Sequence, residues 1–306
     1  AAQPIVIESY PGETAILDGG GGTLIADTDS ILRLQGSKYV TVRNITFQNS
    51  GGRGLSFYAA TNNATHHITI ESVTVSHVGQ RGIGGSGNDI TIQDSFVEYA
   101  AEDNTTNGSG GGWAAGISSF TANDGTPARR WVIENTSVQN VRGECVIALR
   151  VVGATLSNNA FGNCYNIYTD KAQDVTWQGN VVSQALGWGK GGGVGDGFKF
   201  ANENPQISPT LQISNVVYSG NTLTGVGDCF SYFDSAGSYR GVQIIGNQCA
   251  GTTQSLADIP AVSGAAPTGN VFANNTCTGA CGVSIGNPGG WVFDIPTATP
   301  TATITL

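Results

Sequence analysis

The chain is poor in charge, and poorest in positive charge. Its 306 residues hold 13 Lys and Arg against 22 Asp and Glu, for a net charge of −9. An acidic chain without a basic stripe argues against a nucleic-acid partner. It also disfavours tight binding of polyanionic glycans unless a cation such as calcium bridges them. No run of residues is long and apolar enough to span a membrane as a helix, and no stretch carries a helical apolar stripe of useful length. CxxC pairs and Cys/His sets are missing, and His66, His67 and His77 lack metal-ligand spacing, so no metal centre is expected from motif and these histidines read as structural or surface groups. No signal peptide is present and the chain starts at Ala1, which reads as a mature or trimmed form.

What is abundant is repetition. A short phrase recurs in which β-branched or aromatic residues alternate, then a polar Asn, Asp, Ser or Gly pair follows. The copies are VTVRNITF (40–47), ITIESVTV (68–75), ITIQDSFV (90–97), WVIENTSV (131–138), ATLSNNAF (154–161), VTWQGNVV (175–182), VVYSGNTL (216–223), VQIIGNQC (242–249) and NVFANNTC (270–277). A fixed internal period of this kind decides architecture before any local assignment. Third-place residues such as Val42, Ile70, Trp177 and Phe272, and eighth-place residues such as Phe47, Val97 and Leu223, read as the buried faces of strands. From the fifth copy onward the sixth place is always Asn: Asn159, Asn180, Asn221, Asn247 and Asn275. Equivalent Asn residues stacked coil on coil predict a hydrogen-bonded ladder along the axis.

A further strand opens each coil, usually after Gly or a substitute: RGLSF (53–57), RGIGG (81–85), AGISSF (115–120), ECVIAL (144–149), NIYTD (166–170), DGFKF (196–200) and DCFSYF (228–233). Together these predict an all-β chain, a right-handed parallel β-helix of about nine or ten coils, and a rod on the order of 45 Å long. Gly, at 45 residues, is about twice its usual share and suits bends and inserted loops. The phrase PIVIESYPGETAILDGGGGTLI (4–25) resembles the opening coils of the pectate-lyase-like superfamily of right-handed parallel β-helices. That resemblance implies architecture and leaves function open, because the superfamily holds lyases, hydrolases, epimerases, adhesins and tail fibres.

The six cysteines suggest three disulfides, Cys145 with Cys164, Cys229 with Cys249, and Cys277 with Cys281. Cys249 with Cys277 is the competing pair, since both hold the eighth place in neighbouring coils. Disulfides with few Lys and abundant Thr, Ser, Asn and Gly point to an extracellular or cell-surface protein.

Residues 1–295 read as the β-helix domain and 296–306 as a Thr/Pro-rich tail expected to dock as a strand. The chain enters its first strand without a capping element, and solenoid ends expose unpaired edges. Strand addition in cis or in trans is open to the tail. In trans, Ile5 and Ile7 of one copy would meet Thr301, Thr303, Ile304 and Leu306 of another, building a filament of copies of the same chain.

For chemistry, the long loops carry Trp113 and Trp188, which suit stacking on a sugar ring or pinning the loop to the rod. DGFKF (196–200) resembles the GFK phrase of calcium-dependent polysaccharide lyases in which a lysine is the base. The resemblance implies Lys199 as base, with Asp170 and Asp228 on the flanking coils, and abstraction of the proton α to a uronate carboxylate. The family's cluster of several Asp residues before the lysine is missing. The alternative is a Lys199 that projects outward and pairs with Asp170. A hydrolase would need convergent carboxylates; the nearest clusters are Glu98, Glu102 and Asp103, and separately Asp196 and Asp228. The leading expectation is a structural or adhesive extracellular protein, a filament subunit. Its alternatives are a calcium-dependent lyase, or another carbohydrate-active enzyme, acting on a uronate-containing glycan, and a glycan-binding surface module.

Overall fold

A computed structural model describes residues 4–21, 29–61, 64–104, 114–189, 192–203, 211–233, 237–263 and 265–294, and the backbone of 304–305. The strands form three all-parallel sheets. The first runs over eleven strands from Ile5–Glu8 to Trp291–Asp294, and the second over ten from Ala15–Asp18 to Thr276–Gly279. The third runs over eleven, from Ser30–Gln35 to Val283–Ile285 and then Ile304–Thr305. Each full coil thus contributes one strand to each sheet, and the rod is a right-handed parallel β-helix. It has eleven rungs in the first sheet, rather than nine or ten, because the opening and closing coils lack the full repeat phrase.

The repeat phrase spans the strands of the first two sheets and the bend between them. Its third-place residues lie in unbroken register from Val42 through Ile70, Ile92, Ile133, Leu156, Trp177, Tyr218 and Ile244 to Phe272, and all are buried. The eighth-place residues form the matching column of the second sheet, from Phe47 to Cys277. The polar fifth place has a conformational cause. Asn44, Ser72, Asp94, Asn135, Asn158 and Asn274 there all have φ between 49° and 55°, and Gly179, Gly220 and Gly246 between 61° and 66°. This left-handed bend is tolerated best by Gly, Asn and Asp.

The Asn ladder is present. Asn159 Nδ2 donates to Asn180 Oδ1 at 2.9 Å, Asn180 to Asn221 at 3.0 Å, Asn221 to Asn247 at 2.9 Å and Asn247 to Asn275 at 2.9 Å. Each Nδ2 also donates to a backbone carbonyl, and the 159, 180, 221 and 247 amides donate to the next Asn Oδ1. Thr136 and Ser95 extend the column in the earlier coils.

The openings of the third-sheet strands are crowded. A Cβ on Gly82 would stand 2.5 Å from Val97 Cγ1 and 2.7 Å from the Gly116 carbonyl oxygen, and Gly54, Gly116 and Gly197 are as tight. Cys145 and Cys229 replace Gly in this position and bond out of the column, to Cys164 and Cys249. Cys277 bonds Cys281. Cys249 and Cys277 are register partners in the sheet yet belong to different disulfides.

At the first coil Ile5, Val6 and Ile16 are 58%, 45% and 53% exposed, while Ile7 packs against the core. At the other end the backbone of Ile304–Thr305 pairs in parallel with Val283 and Ser284 of the same chain. Thr301, Thr303 and Leu306 lie outside the described residues. No helix among the described residues is long and apolar enough to cross a membrane.

Candidate functional site

The outer face of the third sheet gathers the polar chemistry. Alternation puts three columns of side chains there. In the first, Ala115 pairs with Glu144 and Asp228 with Ser255. Tyr165 and Asp196, each two residues before the register partners Ile167 and Phe198, hold the same place in their coils. Arg53 and Arg81, two before Leu55 and Ile83, hold it in the early coils. The second column runs Ser118, Ile147, Tyr168, Lys199, Ser231 and Asp258. The third includes Leu149, Asp170 and Ala201.

Two residues past Ala201, the Glu203 amide donates to Asp170 Oδ1 at 2.9 Å. A cavity of about 180 Å³ results, lined by Glu144, Tyr165, Asn166, Tyr168, Lys199, Glu203 and Phe233.

Glu144 is 2% exposed, and its Oε2 has no hydrogen-bond partner among the described residues. Burial pushes its carboxyl up to about 8; the charge of Glu203 adds to this, while Lys199 and Arg81 oppose it. At neutral pH it is a carboxylic acid carrying its proton. Asp170, 2% exposed, is pushed up to about 7, again by burial first. Burial raises Asp228 as well, with Asp196 and Asp258 adding repulsion, while Ser255 Oγ hydrogen-bonds it at 2.6 Å. Tyr168 is buried, and burial, with the charges of Asp170 and Glu203 adding to it, holds the phenol well above its ordinary range. Tyr165 rises to about 12, through burial and then the charge of Asp196.

Lys199 Nζ is 2.7 Å from Asp196 Oδ2, with the side chains 14% and 18% exposed. Its ammonium also lies 5.6 Å from the Tyr165 ring centroid and 5.7 Å from that of Phe233. This corrects the expected pairing with Asp170. Lys199 stands opposite Tyr168 and Ser231, whereas Asp170 stands opposite Ala201, two places along. Asp196 stands between Asp228 and Lys199: its Oδ2 holds Lys199 and its Oδ1 accepts the Asp228 backbone amide at 3.2 Å, while the Lys199 charge acts on the Asp228 carboxyl from farther off.

The remaining sequence candidates fall elsewhere. Trp188 is half-buried on a hairpin where Leu186 bridges Val194 in antiparallel fashion, and Trp113 lies outside the described residues. Asp103 accepts from Gln80 at 2.9 Å and Glu102 lies 3.4 Å from His77 Nδ1, away from the cavity. Among the described residues no group of three or more His, Cys, Asp and Glu is placed to hold a metal ion. Sequence reasoning missed Glu144, Tyr165, Tyr168 and Glu203. The signal lay in aligning the third-sheet openings, where Arg53, Arg81, Ala115, Glu144, Tyr165, Asp196 and Asp228 fall in one column.

A covered cavity with one neutral carboxylic acid, a second carboxyl side chain, an ion-paired lysine and two phenols can donate a proton to a leaving oxygen. It can also hold a polyhydroxylated or acidic ligand.

No family model matches the chain, and no curated protein matches it in sequence. The fold does match solved structures. An alginate lyase from Paenibacillus sp. str. FPU-7 is 15% identical with a TM-score of 0.58, over 91% of this chain and 84% of that one. A GH136 lacto-N-biosidase from Eubacterium ramulus is 12% identical with a TM-score of 0.58, over 99% of this chain but 58% of that one. The DFA-IIIase of Arthrobacter chlorophenolicus A6, solved without its lid, is 14% identical with a TM-score of 0.51, over 88% and 70%. All three are named as enzymes; at these identities the likeness shows the fold alone.

Proposed function

We propose that the chain is a carbohydrate-active enzyme that cleaves a glycosidic bond over the outer face of the third sheet, with Glu144 as general acid. The observation that carries this is the Glu144 carboxyl: buried, protonated at neutral pH, and lining a cavity with one oxygen unpartnered among the described residues. Cleaving an acetal requires a proton on the leaving oxygen, and a carboxylic acid with a raised pKa supplies it. Glu203, in the same cavity, is the second carboxyl group and takes the part of base or nucleophile. Lys199, tied to Asp196, acts as a fixed positive charge rather than a base. This reading is favoured over a filament subunit by the solved structures of like fold, among them an alginate lyase and a lacto-N-biosidase.

A second reading is β-elimination on a uronate. It is favoured by Tyr168 as the register partner of Lys199, both lining the cavity, a proton-transfer group on the coil beside a cation that would neutralise a carboxylate. Incubation with a glycan panel, scored for reducing ends and for unsaturated products by absorbance, separates the two. New reducing ends without ultraviolet absorbance support hydrolysis, and unsaturated product supports elimination. Wild-type-like turnover by Glu144→Gln would refute the assignment of the acid.

A further inference from the structure

Asp170 is a buried carboxyl group of this face that the proposed chemistry leaves unused. It closes the strand Ile167–Asp170, is 2% exposed and does not line the cavity. Its register partner is Ala201, the last residue of the strand Phe198–Ala201. Burial pushes its carboxyl up, while the Glu203 amide and then the charges of Arg150 and Lys171 oppose that rise. A carboxyl group this deep in the protein is costly to ionise without hydrogen-bond donors. The Glu203 backbone supplies one, at 2.9 Å.

The chain leaving Ala201 is thereby pinned at two consecutive residues. Asn202, 2% exposed, accepts the Ile213 amide with its Oδ1 at 2.8 Å, and its Nδ2 donates to the Ser238 carbonyl oxygen at 3.0 Å. Glu203 is tied by its amide to Asp170 and lines the cavity. On top of burial and the Asp170 charge, the Tyr168 phenol is raised by the Glu203 carboxylate, through its charge and a side-chain hydrogen bond. After burial, the Glu203 charge also raises Glu144. Tyr168 and Asp170 are two places apart on one strand and so project from the same face. One strand grips Glu203 twice, by its main chain and by its side chain.

Resting on the reading of Glu203 as base or nucleophile, we infer that Asp170 is its positioning residue. Asp170 fixes the Glu203 backbone so that the Glu203 carboxylate is held at the cavity in working geometry, and Asp170 itself transfers no proton and binds no cation. What the site requires of Asp170 is an acceptor oxygen at the Glu203 amide, not a charge.

The test compares Asp170→Asn, which keeps an acceptor oxygen of the same reach, with Asp170→Ala, which has none. The substrate-free readout is a carbon-13 titration of the Glu144 carboxyl, because the Glu203 charge is among the forces that raise it. In Asp170→Asn the midpoint stays at about 8. In Asp170→Ala the Glu203 carboxylate swings away and the midpoint moves to lower pH. With Glu203→Gln in the background, Asp170→Ala moves it no further, since the charge it acts through is gone. The second readout is turnover of the panel glycan that the wild type cleaves. Asp170→Ala lowers kcat about 10- to 100-fold with KM little changed, the cost of misplacing a reacting group by about 1 Å, and Asp170→Asn retains most of the wild-type rate. A Glu144 midpoint that stands still in Asp170→Ala overturns the inference. So does an Asp170→Asn protein as impaired as Asp170→Ala, the mark of a carboxylate needed for its charge. If the alanine variant does not fold, Asp170→Ser takes its place with the same expected outcomes, its hydroxyl one bond short of the amide. Turnover separates this from the parent reading. If Glu144→Gln abolishes cleavage while Asp170→Ala cleaves like the wild type, only the positioning of Glu203 is refuted. If no glycan of the panel is cleaved while the Glu144 midpoint follows the expected pattern, Asp170 positions Glu203 and the hydrolase reading falls.

Discussion

Replacing Glu144 by Gln tests the site through stability as well as activity. In the unfolded chain this carboxyl titrates near 4.5, and in the folded protein near 8. Between these values the unfolded chain loses its proton and the folded protein keeps it. Unfolding then releases a proton, and stability falls as pH rises through this window. Over three to four pH units, at about 1.4 kcal/mol each, the loss reaches roughly 5 kcal/mol by pH 8. Glu144→Gln preserves the shape of the neutral acid and removes the titration. The variant therefore matches the wild type near pH 4 and becomes more stable than it by several kcal/mol at pH 8, while its turnover drops by about 10²- to 10⁴-fold. Denaturant unfolding of both proteins from pH 4 to 9 is the assay. Parallel curves for the two proteins, with no gap opening above pH 5, would refute the reasoning.

Three further outcomes follow from the same geometry. Lys199→Ala removes a positive charge that lowers the Glu144 pKa; the alkaline limb of the pH–rate profile moves to higher pH, and a limb moving down or standing still counts against the assignment. Asn180→Ala deprives the Asn159 amide and Nδ2 of their acceptor inside the core and costs about 2–4 kcal/mol in chemical denaturation; a loss below half a kcal/mol would show the ladder to be ornamental. Gly82→Ala forces a methyl against Val97 and the Gly116 carbonyl, lowering stability by about 1–3 kcal/mol and the melting temperature with it; an unchanged melting temperature would show that the coil openings have slack.

The fold was legible because its constraints repeat. A left-handed residue at the fifth place and apolar residues at the third and eighth recur coil after coil, with Asn at the sixth from the fifth copy onward, so errors in one copy are corrected by the rest. Two of the disulfides were legible because Cys145 and Cys229 each open a coil that Cys164 and Cys249 close. The site was legible only in part. Lys199 was found from a three-residue phrase, but its true partner, Asp196, lies on its own strand's approach rather than on a neighbouring coil. Glu144 sits in an ordinary strand opening, and what makes it chemically distinctive is burial. That burial depends on residues from several coils, Tyr165, Tyr168, Lys199, Glu203 and Phe233, meeting around one cavity, which no local pattern encodes.

The most direct test is a carbon-13 NMR titration of the side-chain carboxyl of Glu144, assigned by comparison with Glu144→Gln. The account predicts a carboxylic acid at pH 7 that ionises near pH 8. An ordinary carboxylate, already ionised by pH 5, would contradict it.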